Sequence, residues 1–191
     1  MEPLEVISVN RRFISRQSVL LQVFSVMVFA ALTAVGARIE IPHRPVPYTF
    51  QTFFVLLSGA FLGKRNGSLS QGVYLLAGAC GLPVFAQGGA GVLSLIGPTG
   101  GYLLGFPVAA FLIGASLEHP AGYFRTLLSM AAGLAVIFAL GAAQLNFTLL
   151  HDWGQAWTGG FLIFSWWDGL KLVSAAILFT TLPMRRLPEQ G

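Results

Sequence analysis

Residues 161–182 read FLIFSWWDGLKLVSAAILFTTL. The run is long enough to cross a bilayer, which takes about 20 largely apolar residues in a helix. Yet its interior carries two opposite charges, Asp168 and Lys171. A charge at mid-span costs roughly 2.5–3.5 kcal/mol on insertion scales, so charges there are rare and usually serve a site. The i,i+3 spacing puts both heads on one helical face, where they meet each other or a shared ligand. A carboxylate accepts from N–H donors, and an ammonium donates to a carbonyl or carboxylate oxygen. Two readings stay open at this level. One is a self-satisfied pair that holds helices in register; the other is a pair that engages a group bearing both N–H and C=O. Trp166 and Trp167 directly precede Asp168. They form either an interfacial aromatic belt or the wall of a pocket whose polar end is Asp168.

The rest of the chain agrees with a membrane setting. Of 191 residues, 55% are hydrophobic and only 9% charged, and the mean hydropathy is +0.74. A soluble domain carries about 25% charged residues, and one of this length has no interior large enough for so much apolar surface. The 23 glycines and 10 prolines suit helices packed in lipid, which tolerate both. The apolar runs are continuous rather than alternating, which excludes a β-barrel pattern.

Six spans are expected: 18–37, 48–62, 67–82, 101–117, 124–147 and 161–182. Residues 1–17 form a cytoplasmic lead-in, 18–182 a membrane domain and 183–191 a cytoplasmic tail. The first run ends Val35-Gly36-Ala37 like a signal cleavage site, but it is longer than the 7–15 residues of a signal core and is read as a retained span. Arg11, Arg12, Arg16, Lys64, Arg65, Arg125, Arg185 and Arg186 then fall on one side, with only Arg38 and Arg44 opposite. That asymmetry places both termini in the cytoplasm of a multi-pass protein of the cell membrane. The net charge of +4 therefore reflects orientation in the lipid bilayer and gives no reason to expect a nucleic-acid partner. Cys80 sits in an apolar run and reads as small apolar filler.

Two segments do not look like plain membrane helix. Residues 38–51, RIEIPHRPVPYTFQ, hold three prolines, which remove donors and clash with a preceding helical turn. An ordered external loop is expected, with Thr49, Gln51 and Thr52 at the boundary, serving as a cap or as ligand contacts. Residues 81–105 hold eight glycines and two prolines, yet stay largely apolar. Irregular backbone at membrane depth is tolerated where protein buries it or where it lines a cavity, so this stretch reads as a lid or cavity wall. Its alternative is a tight turn between closely packed helices. Within span one, Ala30 and Ala34 stand four apart, a spacing that lets helices approach closely, either inside the protein or against a partner.

Chemistry of other kinds finds little support. No GxxxxGK[ST] loop is present, so uphill transport would draw energy from a partner or an ion gradient. His43, His119 and His151 fall in separate loops, and nothing resembles a metal motif or an acid pair suited to hydrolysis.

At this point a family resemblance becomes visible. Residues 46–91, VPYTFQTFFVLLSGAFLGKRNGSLSQGVYLLAGACGLPVFAQGGAG, and 97–114, GPTGGYLLGFPVAAFLIG, resemble the BioY family, the biotin-specific substrate-binding (S) components of energy-coupling-factor (ECF) transporters. The resemblance runs over about residues 31–182, and the intramembrane D-x-x-K strengthens it. It implies an all-α integral membrane protein of six transmembrane helices, with a Gly-rich external loop over the binding cavity. It implies that Asp168 receives the ureido N–H groups of biotin and Lys171 the ureido carbonyl. Trp166, Tyr102 and Phe85 would pack on the ring and chain. Thr49, Gln51 or backbone N–H groups at Gly88 to Gly91 would meet the carboxylate. Many family members carry a polar or basic residue within the glycine cluster. Here the place reads Gly89-Ala90-Gly91, with Gln87 the nearest substitute. Ala30 and Ala34 match the motif that docks the transmembrane coupling subunit, whose ATP-binding partners drive the loaded component to topple. The protein is then a transport subunit and not an enzyme. The competing readings are an S component for another vitamin, a solitary ion-coupled biotin carrier, and a membrane enzyme built on Asp168 and Lys171.

Overall fold

The computed structural model describes residues 3–43, 45–161 and 166–182; side chains are described from residue 19 onward within those ranges, except at 161. The expectations for Arg44, Arg185, Arg186 and the tail 183–191, and for the side chains of Arg11, Arg12 and Arg16, lie outside the described residues. The chain is mostly helical: α1 (Pro3–Arg38), α2 (Gln51–Ala79), α3 (Val92–Ile96), α4 (Gly100–Ser116), α5 (Tyr123–Leu145), α6 (Trp153–Ala156) and α7 (Trp166–Thr181). A short hairpin of β1 (Glu40–Ile41) and β2 (Tyr48–Thr49) joins α1 to α2.

Helix α2 is folded back on itself. The Gln71 amide donates to Ser58 Oγ at 3.1 Å, although these residues would stand about 20 Å apart on a straight helix. The reversal is made by Gly63, at φ 78° and ψ −176°, a region that is almost closed to residues with a Cβ. The arms are residues 51–62 and 64–79. Lys64 and Arg65, expected in a connection before a span starting at 67, instead open the second arm, because one glycine completes the turn. Lys64 Nζ pairs with Glu118 Oε1 at 2.5 Å, tying this turn to the far end of α4.

The prolines of 42–47 exclude helix, and the chain makes the β1–β2 hairpin, with Glu40 opposite Thr49 and Ile41 opposite Tyr48. The Phe50 N–H donates to the carbonyls of Gly36 (3.1 Å) and Ile39 (2.9 Å). The hairpin is thereby seated on the end of α1, and Thr49 is fixed at the entrance to α2.

The interior is small and partly polar, while the outside is apolar. Thr33, Ser58, Ser70 and Gln71 are fully buried. They satisfy one another: Thr33 Oγ1 donates to Gln71 Oε1 at 3.3 Å, and the Gln71 amide donates to Ser70 Oγ at 3.2 Å besides Ser58. Meanwhile Leu20, Phe24, Phe124 and Leu128 point outward, each at least 66% exposed. This distribution suits a hydrocarbon surrounding, where polar groups must be paired within the protein. Residues Val19–Arg38 and Tyr123–Leu150 are each long and apolar enough to cross a membrane, and Gly100–Ser116 is a shorter apolar helix.

Of the two readings of Ala30 and Ala34, burial favours packing inside the protein: Ala30 lies on the inner stripe of α1 with Val26, Thr33 and Ala37, and Ala34 is half-buried against the same core. Cys80, expected as small apolar filler, is instead exposed at the end of α2, because the helix stops there.

Candidate functional site

A cavity of about 890 Å³ opens where the β hairpin, the start of α2, the segment 81–99, α4, α5 and α7 converge. That volume falls within the range of small-molecule sites, about 300–1,000 Å³.

Its charged end is built by α7. Asp168 and Lys171 are 2% and 3% exposed, and Lys171 Nζ pairs with Asp168 Oδ1 at 2.5 Å. Lys171 also donates to the Thr49 carbonyl at 2.8 Å and to Thr52 Oγ1 at 2.6 Å. An ammonium has three protons, so these three acceptors saturate it. Such a pair is tolerated because the low-dielectric setting is met by matched charge and hydrogen bonds. A ligand carbonyl reaches this ammonium by taking the place of one of its acceptors.

The apolar wall is aromatic. Phe85 is 2% exposed. A Cβ on Gly78 would lie 2.0 Å from its ring, so only glycine there lets the ring seat. Tyr102 donates its hydroxyl to the Gly160 carbonyl at 2.8 Å and meets Phe138 edge-on at a centroid distance of 6.1 Å. Phe106 completes this side.

The segment 81–99 forms a third wall and is tethered at both ends. At its start, Leu82 N–H donates to the Ala77 carbonyl at 3.2 Å, and at its middle Gly91 N–H donates to the Gly78 carbonyl at 2.7 Å. Near its end, the Gln144 amide of α5 donates to the Leu95 (2.9 Å) and Gly97 (2.7 Å) carbonyls. Gln87 adopts a left-handed φ of 55°, and its N–H donates to Glu40 Oε2 at 3.1 Å.

Asp168, Lys171, Tyr102, Gln51, Thr49, Phe85, Gln87 and Gly89 all line this one cavity. Trp166 does not: it is 76% exposed and packs edge-on against Trp167 at 5.8 Å. The helical register that turns Asp168 and Lys171 inward turns Trp166 out, so the pocket-wall reading of Trp166 is corrected. Two of the loop N–H groups expected to meet a carboxylate, at Gly89 and Gly91, are engaged within the protein, with Ala86 and Gly78. Sequence reasoning passed over Tyr48, Phe106, Ile137, Phe138, Leu149 and Leu150. The helical ones are apolar residues in apolar runs, where nothing separates a cavity face from a lipid face. Thr52, read as a helix cap or a ligand contact, instead accepts from Lys171 at 2.6 Å. Among the described residues no three His, Cys, Asp or Glu side chains gather as metal ligands.

The family model described as the BioY family matches residues 10–187. The chain is 48% identical over 157 residues to the biotin transporter BioY of Thermotoga maritima, covering 82% of this chain and 92% of the relative. It is 40% identical over 157 residues to a probable biotin transporter BioY of Pyrococcus horikoshii, covering 82% and 93%. The fold is similar to a crystal structure of the S-component for biotin from an ECF-type ABC transporter, with a TM-score of 0.79, 24% identity and coverage of 87% and 92%. A match across nearly the whole chain, together with relatives of about its own length, makes this membrane protein a member of the BioY family.

Proposed function

We propose that this protein captures biotin as the substrate-binding subunit of an ECF-type transporter, with ATP hydrolysed by partner subunits. The observation that carries the reading is the buried Asp168–Lys171 pair set into the wall of an open, aromatic-lined cavity. The ureido ring of biotin presents two N–H donors and one C=O acceptor. Asp168 accepts from the former, and Lys171 turns one proton from a protein oxygen to the latter. Phe85, Tyr102 and Phe106 pack on the thioether ring and valeryl chain, and Thr49, Gln51 and Gln87 lie along the wall available to the carboxylate end. Charge-assisted hydrogen bonds shielded from water, with ring packing, are enough for nanomolar affinity, about −12 kcal/mol.

The orientation of the spans supports the same reading. Lys64, at the turn of α2, lies a full arm away from Gln51 on the cavity wall, about 18 Å of helix. The basic residues Lys64, Arg65 and Arg125 thus stand toward the end opposite the cavity. By the positive-inside bias that end is cytoplasmic, and the cavity opens outside. Docking of the coupling subunit falls on the outward face of α1, which carries Phe24, Met27 and Val35, with Ala34 at its edge and Ala30 behind it.

Titration of the purified protein with biotin by calorimetry tests the function. One-to-one binding in the nanomolar range is expected. A folded sample that releases no heat with biotin across the micromolar range refutes it, and competition with thiamine or riboflavin then identifies a sister specificity.

A further inference from the structure

Behind the cavity wall, out of reach of a ligand, lies a tyrosine that touches three of the walls at once. Tyr74, on the second arm of α2, is 1% exposed. Its ring meets Phe85 edge-on at 5.5 Å and stacks on Phe106 at 6.3 Å, both of them cavity residues. Its hydroxyl accepts from the Gln51 side-chain amide and donates to the Val84 carbonyl at 3.2 Å. Gln51 Oε1 in turn accepts from Thr49 Oγ1 at 2.8 Å, and the Thr49 carbonyl accepts from Lys171.

A chain of hydrogen bonds, joined across Thr49 by that residue's own covalent bonds, therefore runs from Asp168 through Lys171, Thr49, Gln51 and Tyr74 to Val84, the residue before Phe85. The Tyr74 hydroxyl also settles which way the Gln51 amide faces, since it presents a lone pair to the nitrogen and leaves the oxygen to Thr49. The other side-chain tethers on the first half of the segment, Glu40 and Arg38, work at exposed positions, where water competes. Tyr74 works in the interior, where a lost partner leaves buried groups unsatisfied.

From this geometry we infer that Tyr74 is a positioning residue. It joins the glycine-rich cover to the ligand-facing Thr49–Gln51 corner, so that a ligand held at Lys171 and a closed segment 84–91 stabilise each other. The inference rests on the cavity being the ligand site, and its test separates the two ideas.

Tyr74→Phe removes the hydroxyl and keeps the ring against Phe85 and Phe106. In the full-length protein in detergent without biotin, amide exchange at residues 84–91 should speed up while exchange in α5 stays as in the parent protein. With biotin, the dissociation rate should rise about tenfold, the scale of a buried hydrogen bond lost with its partners left unpaired, and the association rate should change less than twofold. Gln51→Met should raise the dissociation rate as well, and the double variant should be no worse than the more severe single one, since both cut the same chain. A merely structural role would instead accelerate exchange throughout and give additive effects. Wild-type exchange at 84–91 in Tyr74→Phe, an unchanged dissociation rate or additive losses would each overturn the inference. If the parent protein takes up no biotin, the proposed function fails, and the ligand-free exchange alone still decides the tether.

Discussion

Replacing Asp168 with asparagine removes one charge and almost no volume, and the structure sets what that does. Lys171, 3% exposed, keeps two neutral acceptors, the Thr49 carbonyl and Thr52 Oγ1, and loses its counter-ion at 2.5 Å. Breaking a buried ion pair from one side costs about 3–5 kcal/mol of stability when the remaining charge stays unpaired. For a ligand N–H, a carboxylate acceptor becomes an amide oxygen, and hydrogen bonds to a charged group contribute about 1.5–3 kcal/mol. At 1.4 kcal/mol per decade the expected loss of biotin affinity is at least about tenfold and up to about a hundredfold. Stability and binding are separated by the double variant Asp168→Asn with Lys171→Met. Removing both charges takes away the unpaired ammonium, so the thermal midpoint should return toward that of the parent protein. Affinity should not return, because the donor to the ureido carbonyl is gone and the ureido N–H groups meet an amide oxygen in place of a carboxylate. Calorimetry and a thermal melt on the same three samples give both numbers. Affinity within threefold of the parent in the single variant, or recovered in the double one, would refute the assigned role and leave the pair as a helix clamp.

Three further outcomes follow from named contacts. Gly63→Ala should lower stability by about 1–3 kcal/mol, the cost of a side chain in that φ/ψ region, read as a shifted thermal midpoint; an unchanged midpoint would mean the α2 turn is made differently. Gly78→Ala places a Cβ 2.0 Å from the Phe85 ring and should expel it, weakening biotin binding by at least about tenfold, with helical content retained by circular dichroism; normal affinity would show that Phe85 is not part of the wall. Biotin methyl ester should bind more weakly than biotin if the Thr49–Gln51–Gln87 side of the cavity holds the carboxylate, and equal affinity would count against that contact.

The chemistry of the site was more legible than its shape. A charged pair three residues apart in an apolar run can be read without a structure, because a membrane helix penalises such residues heavily. The prolines of 42–47 and the glycines of 81–101 mark the irregular backbone by their clustering, since membrane helices tolerate either residue singly. Trp166 stands about 200° around the helix from Asp168, so the register that turns the charged pair inward turns it out; its assignment to the pocket rested on adjacency in sequence. Periodicity also gives no sign of the cavity face of α5, because in a bilayer the lipid side and the ligand side are both apolar. The one-residue turn at Gly63 was hidden as well, since a lone glycine beside Lys64 and Arg65 reads as the first residue of a longer loop.

The three acceptors on Lys171 come from segments that the ribosome delivers at very different times. Thr49 and Thr52 precede the lysine by 122 and 119 residues, and Asp168 arrives with it on α7. Until α7 has entered the membrane, the corner at Thr49 lacks its cation and the cavity lacks its charged end, however complete the earlier helices are. On the proposed reading, the charged end of the site is therefore made late, only when α7 joins the corner at Thr49. A stall or truncation before α7 would leave a chain that lacks the proposed polar end of its binding site.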